Sequence, residues 1–466
     1  MNWSPDELPH RWRLCAIGDV ATVVGGGTPK TSVAGNFSDI DGHPWITPAD
    51  LTGYTAKYIG RGRRFLTDQG LASSSAKTLP AGSVLFSTRA PIGYVAIAEQ
   101  PVATNQGFRS FIPGDEIDSE FLYYALKILR PLAEQLASGT TFSELSGSKA
   151  AKLPIVVPPV WEQRLICQAL EYATERTASA STHVEAARVR LERFRGTVLA
   201  AACSGRLTRD WRDEHPDAVS VEHLAERRGR ATKRVSREQA VELELPMLPA
   251  SYRVGAIGDA ATLIQYGTSQ RAGSVGGGGV IPVLRMGNIQ DGRVDLTDLK
   301  YIAVDREIQG LLLEDGDLLF NRTNSSELVG KSAVYRGDTP TTFASYLIRV
   351  RLDPKVADPE FVSYWLNSAW GGAWARLAKT DGVSQSNING SKLALMPLPL
   401  PPVEEQRLIV ERAGRLLATA DRVGQQLESV ERKVERSAHG VLAKAFRGEL
   451  VDSAESSTTL GAGAGV

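Results

Sequence analysis

At 466 residues the chain is too long for one ordinary core, so two or three domains are expected, and a hydrophobic content of 42% lets each of them fold. Its 53 Lys and Arg balance 53 Asp and Glu, which argues against a generic polyanion binder, since that would carry a visible cationic excess. Three scattered cysteines, an opening "MNWSPDELPHRW" without an apolar signal core, and no apolar run near the roughly 20 residues of a membrane span point to a reducing cytoplasm and away from membranes.

The first domain, expected over 1–158, begins with "LPHRWRLCAIGDVATVV" (8–24). Punctuated β-rich runs follow, "GSVLFSTRA" and "YVAIAEQPVAT", and then a helical "EFLYYALKILRPLAEQLA" (120–137). "LPIVVPP" closes the domain as an extended segment, because Pro154, Pro158 and Pro159 disfavour helix just before them.

A helix is expected over 159–206, starting near Trp161. Steps of seven from Ile166 give Ala173, Ala180, Ala187, Phe194 and Ala201, and from Leu170 give Thr177, Val184, Leu191 and Val198. All of these but Thr177 are apolar, which is the heptad of a coiled coil. The segment 207–247 is highly charged and reads as a solvated connector, its basic cluster from Arg227 to Arg237 more simply a solvated helix face than a phosphate contact.

After the connector the same frame returns. "LPASYRVGAIGDAATLI" (248–264) matches the opening of the first domain, "EDGDLLFNRTNSSELVGKSAVY" (314–335) matches "AGSVLFSTRAPIGYVAI" (81–97), and "EFVSYWLNSAWGGAWARLA" (360–378) stands where the helix stood. The second domain is expected over 248–400. "PPVEEQRLI" (401–409) repeats "PPVWEQRLI" (158–166), and "VLAKAFRGELV" (441–451) repeats "VLAAACSGRLT" (198–208). A second heptad helix over 401–448 carries Ile409, Leu416, Val423, Val430, Ser437 and Lys444, interleaved with Ala413, Ala420, Leu427, Val434 and Val441, all apolar but Ser437 and Lys444. The tail 449–466 reads as disordered.

The chain is therefore a tandem duplication with constant ends and variable interiors. Its expected class is mixed α/β: two α/β domains joined by two long helices that form an antiparallel coiled coil with an approximate two-fold axis. In that pairing the large Leu416, Val423 and Val430 would fill the small positions at Ala173, Ala180 and Ala187.

Catalytic chemistry is not legible. "VGKS" (329–332) lacks the first glycine of a phosphate loop, and the runs "VVGGGTPK" and "SVGGGGVIP" lack the dinucleotide frame and read as flexible turns. His10, His43, His183, His215, His223 and His439 stand at no metal-ligand spacing, and "ERK" (431–433) lies outside the heptad seam.

Two copies beginning "LP..W/YR", each with "PWITPADL" (44–51) or "PVLRMGNI" (282–289), "LFSTR" or "LFNRT", and then "PPVxEQRLI" before a long heptad helix, resemble the DNA-specificity subunit of type I restriction-modification enzymes over nearly the whole chain. Trp161 departs from the family's more usual acidic or polar residue at the first helix start. The resemblance implies a non-catalytic subunit with two target-recognition domains, each reading half of a split, asymmetric site on double-stranded DNA across a spacer set by the helices. It also implies two methyltransferase subunits docked on the helices and restriction subunits joined to that core. No cofactor is expected in this chain; S-adenosylmethionine, ATP and Mg are expected on the partners.

Base reading suits polar residues in or beside loops: Thr47, Asp50, Arg89, Asn105 and Gln106 in the first copy, and Arg285, Asn288, Asn321, Arg322, Asn324 and Gln385 in the second. The plainer alternative is turn capping or salt bridging. Lys57, Arg61, Arg63, Arg64, Lys331 and Arg336 supply local positive charge. The repeated Glu162, Gln163, Arg164 and Glu405, Gln406, Arg407 are expected to mark methyltransferase docking. A coiled-coil adaptor that never binds DNA is the competing class; it leaves the divergent interiors unexplained.

Overall fold

The computed structural model describes residues 8–89, 91–137, 144–220, 242–273, 279–325, 327–382 and 385–450. The basic cluster from Arg227 to Arg237 and the tail from 451 onward lie outside the described residues. The chain divides into two compact units. One joins Met1–Glu185 to Ser429–Val466, and the other is the continuous stretch Ala186–Glu428.

In the first unit a five-stranded sheet runs in the order Ala21–Gly25, Arg109–Pro113, Val84–Phe86, Val95–Ala98, Tyr58–Ile59. In the second unit Ala261–Tyr266, Leu347–Leu352, Leu318–Asn321 and Ser332–Val334 repeat the first four places of that order, all antiparallel. The apolar triplets "VLF" and "LLF" of the matched motifs are the buried centres of these sheets, as β-branched and aromatic residues favour.

The constant ends of each copy are hydrogen-bonded to each other. Arg13–Ala16 pairs with Pro154–Val157, and Arg253–Ala256 with Pro397–Leu400, in antiparallel registers that set Leu14 on Val156 and Val254 on Pro399. The proline-rich segment thus does form a strand, but only as half of an isolated two-stranded pair, where a missing N–H is tolerated.

Ser119–Leu136 packs on the first sheet as one helix, capped by Asp118. Its counterpart is broken into Pro359–Asn367 and Ala369–Ala378, a departure from the single expected stretch. Ser368 makes the break: in an extended conformation its Oγ accepts from Gly371 N and donates to Trp365 O.

The long helices span Val160–Cys203 and Val403–Ala445. The connector is not solvated from its start, because residues 206–214 fold into two short helices and Thr208 is buried.

Each unit is closed by the far end of a helix that starts in the other copy's frame. In the first, Ala445 and Phe446 enter the core beside Ile166 and Leu170, and Phe446 stacks on Phe121 with ring centroids 4.9 Å apart. In the second, Val198, Ala202 and Cys203 enter the core beside Ile409 and Ala413. Within the second unit the helix segments run antiparallel: Arg195 Nη2 meets Asp421 Oδ1 at 2.6 Å, and a Cβ on Gly424 would lie 3.6 Å from Leu191 Cδ2.

The heptad is only partly a seam. Ile166, Leu170, Val184, Ile409, Ala413 and Ala420 are buried, but Leu416, Val423 and Val430 remain 37%, 39% and 43% exposed, so these large positions are not enclosed. The reason is competition: each helix also covers its own domain, and the face that docks there takes part of the stripe. Among the described residues no helix is long and apolar enough to cross a membrane.

Candidate nucleic-acid interface

The "EQ" repeated at each helix start is structural. Glu162 is fully buried and accepts from Trp12 Nε1 at 3.1 Å and Arg11 Nε at 2.7 Å. Gln163, also buried, accepts from Asp118 N at 2.8 Å and donates to the carbonyls of Glu116 and Pro158. Glu405 takes Thr208 Oγ1 at 2.6 Å, Tyr252 Oη at 3.2 Å and the Arg212 guanidinium. Gln406 accepts from Asp358 N and donates to Val356 and Pro401. These four side chains lock helix, first strand and capping aspartate together, so they present no surface for docking. Of the six residues expected to dock a partner, only Arg164 and Arg407 are exposed.

The variable polar residues gather elsewhere, at one end of each main sheet. In the first unit that end is formed where Ala21–Gly25 finishes and Arg109–Pro113 begins, with Ser87 and Arg89 leaving Val84–Phe86 on the other side of Arg109–Pro113. Gly26 allows the chain to turn there, since a Cβ would come within 2.0 Å of Asn105 O. Asn105 Oδ1 accepts from Gly107 N at 2.9 Å, and exposed Gln106 accepts from Thr28 Oγ1. Arg89 is exposed and ion-paired to Glu144, which also binds Arg109.

Thr47 and Asp50 abut this end through the turn they build. Asp50 Oδ2 accepts from Thr47 N at 2.8 Å and from its Oγ1 at 2.6 Å, and a Cβ on Gly107 would sit 3.0 Å from Pro48. Arg285 and Asn288 make the matching turn in the second unit, where Arg285 N donates to Asn288 Oδ1 at 2.9 Å. Asn288 is buried on the carbonyls of Asp295 and Asp298, and Arg285 pairs with Asp298. In their present contacts Thr47, Asp50 and Asn288 build turns.

At the second sheet end, Asn321 is fully buried, its Nδ2 3.4 Å from Met286 O and its Oδ1 without a partner among the described residues. Arg322 donates to Ser345 O and Asn387 Oδ1, and its guanidinium lies 4.9 Å over the Tyr266 ring. Asn324 Oδ1 accepts from Ser325 N, and Gln385 is exposed in the neighbouring turn. The Lys379 ammonium and the Ser386 hydroxyl hold the nearby Asp381 carboxyl below its ordinary range.

Thr28, Arg109, Glu144, Tyr266 and Asn387 belong to these ends but have no sequence signal of their own, except that "GGT" (26–28) and "YGT" (266–268) occupy corresponding places. Lys57 and Arg336, expected as local positive charge, are engaged elsewhere. Lys57 pairs with Glu120 and Glu171, and Arg336 with Asp315 and Glu360. Burial works to lower the Lys57 pKa, but those carboxylates outweigh it and hold Lys57 above its usual range. Among the described residues no group of three or more His, Cys, Asp or Glu is placed to hold a metal ion.

Two equivalent sheet ends, one frame and different polar side chains describe a duplicated reader, and comparison with known proteins agrees. The model of the type I restriction modification DNA specificity domain matches twice, over residues 9–185 and 249–432. The chain belongs to that family. The EcoKI specificity subunit of Escherichia coli is 28% identical over 96% of this chain and 91% of its own length. The MjaIX specificity subunit of Methanocaldococcus jannaschii is 41% identical over 36% of this chain and 38% of its own length. The fold is shared with the HsdS subunit of Thermoanaerobacter tengcongensis at TM-score 0.54 and 18% identity, over 97% of this chain and all of that one. A chain from a solved type I R-M system aligns at TM-score 0.68 and 18% identity, over 96% of this chain. As a specificity subunit the chain supplies DNA-sequence selection and no catalysis, and the second match starting at 249 places the duplication where the sequence repeat does.

Proposed function

We propose that each sheet end reads one half of a bipartite, asymmetric site on double-stranded DNA, and that the long helices set the unread spacer and dock two methyltransferase subunits. The observation that carries this reading is the pair of equivalent sheet ends, whose backbone is held in common while the polar residues differ: Arg89, Gln106 and Glu144 in one, Tyr266, Arg322 and Asn387 in the other. Readers with one frame and two chemistries suit two unlike half-sites.

Docking is supported by apolar residues that the helices leave uncovered, Leu165 and Tyr172 on the first and Leu416 and Val423 on the second. Restriction subunits would join this core. S-adenosylmethionine for adenine methylation, and ATP and Mg for cleavage, belong to the partners, and the assembly works in the cytoplasm. The even charge balance fits a reader whose partners add phosphate contacts.

Deleting the chain in its host and sequencing methylated adenines before and after tests the reading. Methylation should vanish from one split, asymmetric motif. An unchanged methylome overturns it.

A further inference from the structure

At the first sheet end, Glu144 occupies one whole edge of Arg89. Nε donates to Oε2 at 2.8 Å, and Nη2 lies 2.7 Å from the same oxygen. The other oxygen accepts from Arg109 Nη2 at 3.1 Å. Arg109 is spent within the protein, because its Nη1 is held on the carbonyls of Gln106 and Phe108. Arg89 is not: its side chain is 48% exposed, and Nη1 has no hydrogen-bond partner among the described residues.

A guanidinium carries its donors in a rigid fork. With the Nε–Nη2 edge fixed on a carboxylate, the Nη1–Nη2 edge remains, and two parallel N–H groups on that edge match O6 and N7 of guanine in the major groove. The carboxylate also holds the long side chain in one rotamer before DNA arrives, so less freedom is lost on binding.

The second copy supports a positioning role for this place in the frame. Leu145 N donates to Thr88 O, and Ile388 N donates to Arg322 O, so Glu144 and Asn387 sit on equivalent posts. Asn387 likewise holds an arginine, accepting from Arg322 Nη2 at 3.0 Å. That arginine is turned inward over Tyr266, with its Nε buried. One post therefore presents a guanidinium and the other retracts it.

We infer that Glu144 is the positioning residue of the first recognition domain, presenting the outer edge of Arg89 to a guanine in the first half-site. The inference rests on the bipartite reading proposed above. The test uses the full chain with its methyltransferase subunits, as wild type, Arg89→Ala, Arg89→Lys and Glu144→Gln. Each complex selects from a duplex library randomised over both half-sites, and competition binding gives the preference at every position.

The wild type should require a G·C pair at one position of one half. Arg89→Ala and Glu144→Gln should both weaken that preference by about 5- to 140-fold, and Arg89→Lys, which keeps the charge but loses the fork, should not restore it. The other half should read unchanged, which also shows that the variants are folded. Uniform loss on every sequence makes Arg89 a phosphate contact, and an unaltered preference makes the pair a structural salt bridge; either overturns the inference and leaves the bipartite reading standing. A wild-type complex that enriches no split motif overturns both.

Discussion

Phe446→Ala is the sharpest probe of how the first unit is closed. Phe446 is fully buried and stacked on Phe121, and it directly follows the last residue of a helix that begins in the other unit. Removing the ring forfeits about 1.5–3 kcal/mol of apolar burial and about 0.5–1.5 kcal/mol of ring–ring contact. With the cavity left behind, the expected cost is about 3–5 kcal/mol. A domain of ordinary stability holds about 5–15 kcal/mol in all, so the first unit should open between two and three and a half orders of magnitude more often. Hydrogen exchange read by mass spectrometry resolves where. Protection should fall along Ser119–Leu136 and Ala21–Gly25 and hold in Pro359–Asn367 and Leu347–Leu352. Equal loss in both units, or no loss in the first, would refute closure by the helix end.

Other expectations follow from the same contacts. Gly205 has φ +73°, and a Cβ there would lie 2.7 Å from Tyr252 Oη, so Gly205→Ala should lower the melting temperature of the second unit by several degrees in calorimetry. Glu405→Ala strands Arg212 in a largely buried site and should cost about 3–5 kcal/mol by urea titration; a loss under about 1 kcal/mol would mean the site relaxes or hydrates. Hydrogen bonds from Arg412 push the Asp210 carboxyl down to about 2, so its stabilising effect is present above the ordinary 3.8 and lost as pH falls through about 2. In Arg412→Ala, NMR titration should find Asp210 back in the usual carboxylate range. Arg322→Ala should weaken binding selectively at the second half-site with little change in salt dependence, because its donors meet protein atoms; a salt slope reduced by about one would identify a phosphate contact instead.

The frame of this fold is legible in sequence because it repeats. The paired terminal strands, the two long helices and the buried "VLF" and "LLF" centres all lie within matched segments. The direction in which a repeated residue points is less legible. Glu162 and Glu405 look like surface charge at a helix start, yet Trp12 and Tyr252, some 150 residues earlier, turn them inward. The same limit affects the heptad, since a stripe of apolar residues does not say whether a second helix or the parent domain covers it, and Leu416 stays 37% exposed. "LFSTR" spans core and surface within four residues: Phe86 is buried and Arg89 emerges. Glu144 carries no local pattern, because what places it is one backbone bridge to Arg89, 55 residues away.

The crossed closure of the two units also bears on how the protein is made. Ala186–Glu428 is continuous and holds everything its own core requires, whereas the other unit waits for Ala445 and Phe446. The half synthesised first is therefore the last to be completed. Translation at about 5–20 residues per second leaves the amino-terminal domain without its plug for tens of seconds, its Phe121 face open to chaperones and to neighbouring nascent chains on the same message. A released chain truncated after residue 430 should resist protease across its carboxy-terminal half and yield in its amino-terminal half, the reverse of the order in which the two left the tunnel.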